Sequence, residues 1–202
     1  MTEKRNVAIF IFEDVEILDF AGPYEAFAVC GVDDGEPLFN VYTASLDGKS
    51  LLARNGLSIN PAYSIETMPQ PDILLIPGGQ GTRPLVGNEA IRQFIQAQQP
   101  QVEQLLSVCT GALLLADAGV LANQSATTYH TAFDLLHSID GSISLQPGQR
   151  WVDNGQIVTS AGVSAGIDMS LYVISKLFDQ ATADATARHM EYEHWPLTKI
   201  NE

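Results

Sequence analysis

Three runs of almost unbroken apolar residues constrain the fold of this chain more than any other feature of its sequence. They occupy positions 7–12, 72–76 and 105–108, and the first contains no polar residue. A strand without a polar face has to be covered on both sides, which is typical of a parallel sheet between two helix layers. Residues 39–44 predict a further strand. The sequence therefore predicts an α/β protein, a three-layer sandwich with a mostly parallel sheet.

Helices and one hairpin are expected between and after these strands. A helix is predicted from Pro23, which a first helical turn tolerates, to about Val29. The other expected elements are a helix with apolar positions 91, 94 and 95, a helix from about 111 to 118 capped by Gly119, a hairpin over 151–159 containing Asn154-Gly155, and a last helix with apolar positions 167, 171, 174 and 178.

Length and cysteine usage indicate one reduced domain. The 202 residues fit a single domain over 1–202 that buries its own core without disulfides. Cys30 and Cys109 are too few for a disulfide framework. The first apolar run is too short for a signal peptide, and no stretch reaches the length of a membrane span, so a cytoplasmic protein is expected.

The charge of the chain restricts its partners. There are 10 Lys and Arg against 24 Asp and Glu, which gives a formal net charge of −14. Such a surface repels phosphate backbones and anionic membranes. The expected partners are a small-molecule substrate and a second copy of the chain, and neither a nucleic acid nor a membrane.

Cys109 stands where a strand passes into a helix across a single residue. A side chain on such a corner is exposed at the carboxyl edge of the sheet, as in the nucleophile elbow of hydrolases. The amides and dipole of the following helix favour the thiolate, so the sequence predicts a reactive thiol more acidic than usual. The alternative is that Cys109 is a small buried apolar residue, which is the interpretation we favour for Cys30.

Two other features lie close to strand ends. The loop Pro77-Gly78-Gly79-Gln80-Gly81 could stabilise a negative charge through its amides, and it lacks the lysine of a phosphate-binding loop. Asp19 lies in the apolar run 17–21, where a carboxyl has a raised pKa and can donate a proton; it could also simply cap the helix expected at Pro23. Asp168, at the start of the last predicted helix, is expected to be stabilised by the helix dipole or to lie in an interface rather than to act in catalysis.

Four motifs in register resemble the ThiJ/PfpI superfamily, the class I glutamine amidotransferase-like proteins. The match runs from about residue 7 to 178 and consists of F-E-D-V-E-I-L-D-F-A-G-P at 12–23, I-P-G-G at 76–79, S-V-C-T-G at 107–111 and A-G-V-S-A-G-I-D at 161–168. The resemblance implies a flavodoxin-like sandwich and a homodimer. Within the superfamily the chain is most similar to isocyanide hydratases and to the amidotransferase-like domain of AraC-type regulators.

The resemblance also implies the residues of the site. Cys109 would be the nucleophile, Asp19 the acid beside it, and Thr110 the residue that follows the cysteine. Gly78 and Gly79 would supply backbone donors to the oxyanion or substrate. Gly162 and Val163 would line the opposite wall of the site.

Histidines depart from the family pattern. Protease-like members carry His directly after the cysteine, where this chain has Thr110. Many relatives also carry His after an Ala-Thr-Thr segment, but here Tyr129 follows Thr128 and His130 comes one place later, so His130 is a weaker candidate for the site. No metal site and no cofactor are expected, because the remaining histidines, at positions 137, 189 and 194, show no ligand spacing.

Three functions fit this pattern. The first is an isocyanide-hydratase-like lyase, which needs a nucleophile and one proton-carrying carboxyl but no imidazole. The second is another cysteine enzyme of the superfamily, glyoxalase-like or amidase-like. The third is a small-molecule or redox sensor. A DNA-binding regulator would need a basic helix-turn-helix after this domain, and these 202 residues are expected to leave no room for one.

Overall fold

A seven-stranded sheet forms the centre of the protein in a computed structural model that describes residues 4–193, apart from the side chain at position 34. The described strands are β1 Arg5–Phe10, β2 Phe39–Ser45, β3 Leu51–Leu52, β4 Ser58–Ile59, β5 Tyr63–Ser64, β6 Ile73–Ile76, β7 Gln104–Val108, β8 Ser125–Ala126, β9 Ser144–Leu145, β10 Trp151–Asp153 and β11 Ile157–Ser160. The described α-helices are α1 Ile17–Ala28, α2 Thr82–Leu85, α3 Glu89–Gln98, α4 Gly111–Asp117, α5 Phe133–Ile139, α6 Ala165–Leu177 and α7 Gln180–His189.

The order of strands in the main sheet is β10-β11-β7-β6-β1-β2-β5. Every neighbouring pair is parallel except the hairpin of β10 and β11. All residues of β6, β7 and β11 are buried, as are the last four of β1. The mostly parallel sheet predicted from the apolar runs is confirmed.

The chain reverses direction across the sheet after β5. It first moves outward from β1 through β2 to the edge strand β5, then returns to place β6 on the other side of β1. Because crossovers between parallel strands are right-handed, this reversal puts the helices before and after it on opposite faces. Accordingly α4 packs with α2, α3 and α5, away from α1. Helix α6 also follows the reversal, but it returns to the face of α1 and packs with it. The crevice between the carboxyl ends of β1 and β6 is the place where such sheets bind ligands.

The first helix begins six residues earlier than the sequence predicts. It starts at Ile17 rather than Pro23, and Glu16 at its N-cap makes no side-chain capping bond. Pro23 therefore lies inside α1, where it leaves the carbonyl of Asp19 without its usual helical donor. Packing of α1 on α6 explains why this is tolerated, since the Pro23 ring fits beside Gly166. The interpretation of Asp19 as a helix cap is wrong.

The other predicted elements agree with the structure within one or two residues at most ends. Ile91, Phe94 and Ile95 are buried on α3, and β10 and β11 form the expected hairpin. Phe178 differs, since it follows α6 and is 37% exposed, with its ring edge against Phe39. None of the helices within residues 4–193 is both long and apolar enough to span a bilayer.

Candidate active site

Cys109 occupies a strained turn between β7 and α4. Its φ of 58° lies in the left-handed region, which costs a non-glycine residue about 1–3 kcal/mol and persists only where the surroundings enforce it. The enforcing contacts are hydrogen bonds from the Cys109 N–H to the carbonyls of Ser160 (3.1 Å) and Ala161 (3.2 Å). The Thr128 hydroxyl donates to the Cys109 carbonyl at 2.8 Å. The strand-to-helix corner predicted from the sequence is therefore present, and its backbone is held from β11 and from the segment after β8. The expectation that the side chain on this corner is exposed is wrong, since Cys109 is buried behind neighbouring segments.

Asp19 meets Cys109 from the first turn of α1. The carboxyl is fully buried, with Oδ2 accepting from the Gly78 N–H at 3.0 Å and Oδ1 from the Val163 N–H at 3.1 Å. It also hydrogen bonds with the thiol of Cys109. Three strand ends thus converge on one carboxyl, because Gly78 follows β6, Cys109 follows β7 and Val163 follows β11.

Burial raises the pKa of Asp19 from 3.8 to about 7. Removal from water disfavours the charged carboxylate, and this effect is larger than the opposing one of the hydrogen bonds from the thiol and the Gly78 N–H. The neighbouring charge of Glu16 raises the pKa further. A carboxyl with this pKa can both accept and donate a proton near neutrality. The raised pKa predicted from the apolar run around Asp19 is confirmed.

The expectation of an acidified thiol is wrong. Burial raises the pKa of Cys109 above its ordinary value, and the Asp19 carboxylate raises it further because a thiolate would be a second negative charge beside it. The N–H of Thr110 favours the thiolate but does not overcome these effects. Helix α4, with seven residues, is also short. The proton of this pair therefore resides preferentially on sulfur once Asp19 is ionised.

We expect Asp19→Asn to lower the pKa of the Cys109 thiol by about one unit or more, because the variant removes a negative charge in contact with the sulfur. The measurement is a titration of thiolate absorbance in a Cys30→Ala background, in which Cys109 is the one remaining thiol. An unchanged or higher midpoint in the variant would show that the Asp19 charge does not act on the thiol.

The two glycines of the loop after β6 were predicted to donate backbone hydrogen bonds to an oxyanion or substrate, but in the structure both N–H groups donate to side chains of the protein. The Gly78 N–H is used by Asp19, and the Gly79 N–H donates to the Thr110 hydroxyl at 3.0 Å. That hydroxyl donates in turn to the Gly79 carbonyl at 3.1 Å. Both amides thus position side chains of the site. Their use as donors to an oxyanion stays a prediction that would require these hydrogen bonds to exchange.

Absence of a side chain at Gly78 allows the groups of the site to approach each other. A Cβ placed there would lie 2.6 Å from the Thr110 nitrogen and 2.7 Å from both the Asp19 Oδ2 and the Cys109 Cβ. Real Cβ atoms essentially never come this close to other atoms. The contact between the carboxyl and the thiol therefore depends on glycine at this position.

Gly162 and Tyr129 form the wall beside the sulfur. A Cβ at Gly162 would lie 3.5 Å from the Cys109 Sγ and 2.5 Å from the Tyr129 Cδ2. His130 is exposed, and its ring lies 4.3 Å from that of Tyr129. Tyr129 therefore occupies the place beside the cysteine, and His130 lies behind it. Val163 contributes its backbone N–H while its side chain is 36% exposed.

An open cleft of about 280 Å³ begins at this wall. It is bounded by residues 127–130, 148–150, 161 and 162 together with Phe133. Gly162 belongs both to the cleft and to the surroundings of Cys109. Among the residues described, no group of three or more His, Cys, Asp or Glu side chains is arranged to hold a metal ion. His194 lies outside them.

Asp168 is buried in an ion pair. It binds the Nε and Nη2 atoms of Arg150, and the Tyr192 hydroxyl donates to its Oδ1 at 2.8 Å. Asp168 also lies in the first turn of α6, as the dipole interpretation expects, and the pairing with Arg150 adds to that effect. Sequence reasoning missed Thr128, Tyr129 and Arg150 as parts of the site. Only the Ala-Thr-Thr segment at 126–128 signalled the first two, and nothing near position 150 signalled the arginine.

The fold and the site together define an α/β sandwich protein with a cysteine and a buried carboxyl at the carboxyl edge of the sheet. The chain belongs to the DJ-1/PfpI family, whose model matches residues 5–176. The resemblance seen in the four sequence motifs is thereby confirmed.

Several relatives cover most of the chain. An isonitrile hydratase of Pseudomonas putida is 33% identical over 95% of this chain and 80% of its own length. The HTH-type transcriptional regulator GbdR of Pseudomonas aeruginosa is 25% identical over 94% of this chain, which spans about half (51%) of that regulator. A THiJ/PfpI family protein from Pseudomonas syringae has a TM-score of 0.84 at 25% identity, covering 99% of this chain and 80% of that one.

Proposed function

We propose that this protein is a cysteine-dependent enzyme that hydrates an isocyanide to an N-substituted formamide. The observation that carries the proposal is the buried hydrogen bond between the Asp19 carboxyl, with a pKa of about 7, and the Cys109 thiol. Asp19 and Thr110 are the groups that act on this thiol, and no imidazole of the described residues is among them. Addition to an isocyanide needs a nucleophile and one group that moves a proton, which is this set.

The first half of the reaction forms a covalent adduct. The Cys109 sulfur attacks the terminal carbon of R–N≡C while the thiol proton passes to the ionised Asp19 carboxyl. Coupling these events fits a thiol whose pKa is raised, because no free thiolate has to accumulate. Asp19 then delivers the proton to the same carbon, which gives the thioimidate R–N=CH–S–Cys109.

The second half releases the product. Water adds to the thioimidate carbon, and Asp19 accepts one of its protons and passes it to the nitrogen, which gives R–NH–CH(OH)–S–Cys109. The C–S bond then breaks as the C=O bond forms, and Asp19 accepts the hydroxyl proton and returns it to sulfur. The products are R–NH–CHO and the original thiol, so one isocyanide and one water are consumed for each formamide. No redox change, metal or cofactor is required, and we propose that none is used. A reduced thiol requires a reducing compartment, so we propose the cytoplasm as the location.

A turnover screen tests this function. Simple alkyl isocyanides, methylglyoxal and peptide amides are each offered to the wild-type protein and to Cys109→Ala. Formamide production that is lost in the variant supports the proposal. Turnover of methylglyoxal or of an amide instead would reassign the protein to another cysteine enzyme of the family, and a deglycase of Pyrococcus horikoshii is indeed 25% identical over 83% of this chain.

The second candidate function is that of a small-molecule sensor. It is favoured by the match to GbdR, which extends over nearly the whole of this chain. Ligand binding without turnover in the same screen would support it. In either case we propose a small molecule rather than a nucleic acid as the partner, because the net charge of −14 opposes binding to phosphate backbones.

We also propose a homodimer, and exposed apolar side chains near the site support it. Leu18 is 37% exposed on α1, and Leu52 and Leu57 are 49% and 48% exposed on and beside the β3–β4 hairpin. The hairpin is tied to the start of α1, since the Arg54 N–H donates to the Val15 carbonyl at 2.8 Å. These side chains therefore lie on elements that are joined to each other, and we propose that a second copy covers them.

We expect Leu57→Glu to weaken the dimer, because it places a charge in the proposed apolar interface. Sedimentation at micromolar concentration would show the wild type at twice 21.9 kDa and the variant shifted toward the monomer. Leu135→Glu is the matched control, since Leu135 is 37% exposed on α5 and lies outside the proposed surface. A wild-type protein that sediments only as the monomer would contradict the proposal.

A further inference from the structure

The cleft beside Cys109 is electrostatically unlike the rest of the protein. The chain carries 24 acidic residues, yet none of the described residues lining this cleft is acidic. Its two basic side chains are Arg150 and His130. A cleft with this lining favours a ligand that bears negative charge or strong hydrogen-bond acceptors, which most of the protein surface would repel.

Arg150 is fixed in place with one edge of its guanidinium group unused. The Nε and Nη2 atoms bind the buried carboxylate of Asp168, and Nη2 also donates to the Ser164 hydroxyl at 3.2 Å. Nη1 makes no hydrogen bond to any residue within 4–193. The side chain is 41% exposed and lines the cleft, so its remaining donors are accessible to a ligand.

A held guanidinium binds more effectively than a free one. Long side chains lose rotamer freedom when they bind a ligand, but Arg150 has already lost it to Asp168 and Ser164. Asp168 is fully buried and points its oxygens at Arg150 and Tyr192, so it does not face a ligand in the cleft. The remaining Nη1 amino group can donate a charge-assisted hydrogen bond to one oxygen of a carboxylate.

We propose that this cleft selects substrates whose far end carries a carboxylate, which Arg150 binds through its Nη1 amino group. The inference rests on the proposed function for its reacting end, since it assumes that the group attacked by Cys109 lies at the Gly162 wall. A cleft of about 280 Å³ is small for a ligand pocket, so the substrate is a short chain with the reacting carbon at one end and the carboxylate at the other.

Binding and turnover are tested separately. Calorimetry on Cys109→Ala compares N-formyl-4-aminobutanoate, a product-like probe, with its methyl ester. We expect the acid to bind about tenfold more tightly than the ester, as a charge-assisted hydrogen bond provides. On the wild type, we expect kcat/KM to favour 4-isocyanobutanoate over its methyl ester by a similar factor.

Variants assign the preference to the cleft. Gln149→Glu places a carboxylate on the rim without removing the pairing of Arg150 with Asp168, and we expect it to abolish the preference for the acid. Gln101→Glu adds the same charge in the turn after α3, outside the cleft, and is expected to leave the preference intact. Arg150→Lys keeps the positive charge opposite Asp168 but lacks Nη1, so we expect it to lose the preference for the acid. Thermal melting of the variant verifies that it is folded.

Each outcome separates this inference from the proposed function. Equal binding of acid and ester, no detectable binding of the acid at millimolar concentration, or a preference that persists in folded Arg150→Lys would overturn the carboxylate assignment. If the acid binds preferentially but no isocyanide is converted, the hydratase function fails and the carboxylate site stands. If isocyanides are hydrated without any preference for the acid, the hydratase function stands and the carboxylate site fails.

Discussion

Asp19→Asn is expected to reduce turnover about 10²–10⁴-fold while leaving the protein folded. The amide matches the carboxyl in shape, so its oxygen can still accept one of the two backbone hydrogen bonds from Gly78 and Val163. It has no proton to give at neutral pH and cannot accept the thiol proton of Cys109. Steady-state kinetics with an isocyanide found in the screen would measure the loss, which should appear in kcat.

The same variant should change how stability depends on pH. The pKa of Asp19 is about 7 in the folded protein against 3.8 ordinarily, so the folded state binds this proton more tightly than the unfolded state does. The stabilisation from this proton is complete below about pH 4 and is lost as pH rises through 7, by roughly 4 kcal/mol in total. Asp19→Asn lacks this component, so its stability relative to wild type should rise between these pH values.

Denaturant unfolding at several pH values would measure this component independently of any substrate. Asp134→Asn is the matched control, since Asp134 is exposed in the first turn of α5 and its change should leave both kinetics and pH dependence unaltered. Full turnover in Asp19→Asn would reject proton transfer by this carboxyl. A wild-type stability that is flat across the range would reject its raised pKa.

Gly78→Ala is expected to lower both stability and turnover. Its methyl group would meet the Thr110 nitrogen, the Asp19 carboxyl and the Cys109 Cβ at 2.6–2.7 Å, and these are short or backbone groups that cannot swing away. Overpacking of this kind costs about 1–3 kcal/mol, which in a chain of this size lowers the melting temperature by roughly 2–12 °C. Displacing the carboxyl from the thiol by about 1 Å should reduce turnover about 10²-fold.

Gly141→Ala provides the control for this substitution. A Cβ at Gly141 would meet its nearest neighbour, the His137 ring, at 3.7 Å, which is ordinary contact, and its backbone is not left-handed. The control should therefore keep its turnover and change its melting temperature little. If Gly78→Ala melted and turned over like Gly141→Ala, the tight convergence of groups at Gly78 would be contradicted.

The fold follows from the sequence because its signals are local. Positions 7–12 and 73–76 are apolar on both faces, and this pattern alone requires helices above and below a parallel sheet. The hairpin is equally local, since its turn residues, Asn154 and Gly155, lie next to the strands that they join. The start of α1 was not predictable in this way, because the helix tolerates Pro23 through its packing on α6.

The sequence by itself indicated the two central residues of the candidate site, and tertiary structure decided their surroundings and their pKa values. Cys109 at a strand-to-helix corner and Asp19 in an apolar run are evident from neighbours in the chain. The pKa of the thiol was predicted in the wrong direction, because the prediction used only the helix amides next to Cys109 in the chain. The effects that dominate are burial and the charge of Asp19, which lies 90 residues away in the sequence. The positions of Tyr129 beside the sulfur and of Arg150 against Asp168 likewise depend on elements that meet only in the folded protein. Sequence spacing does not encode a contact between such distant segments.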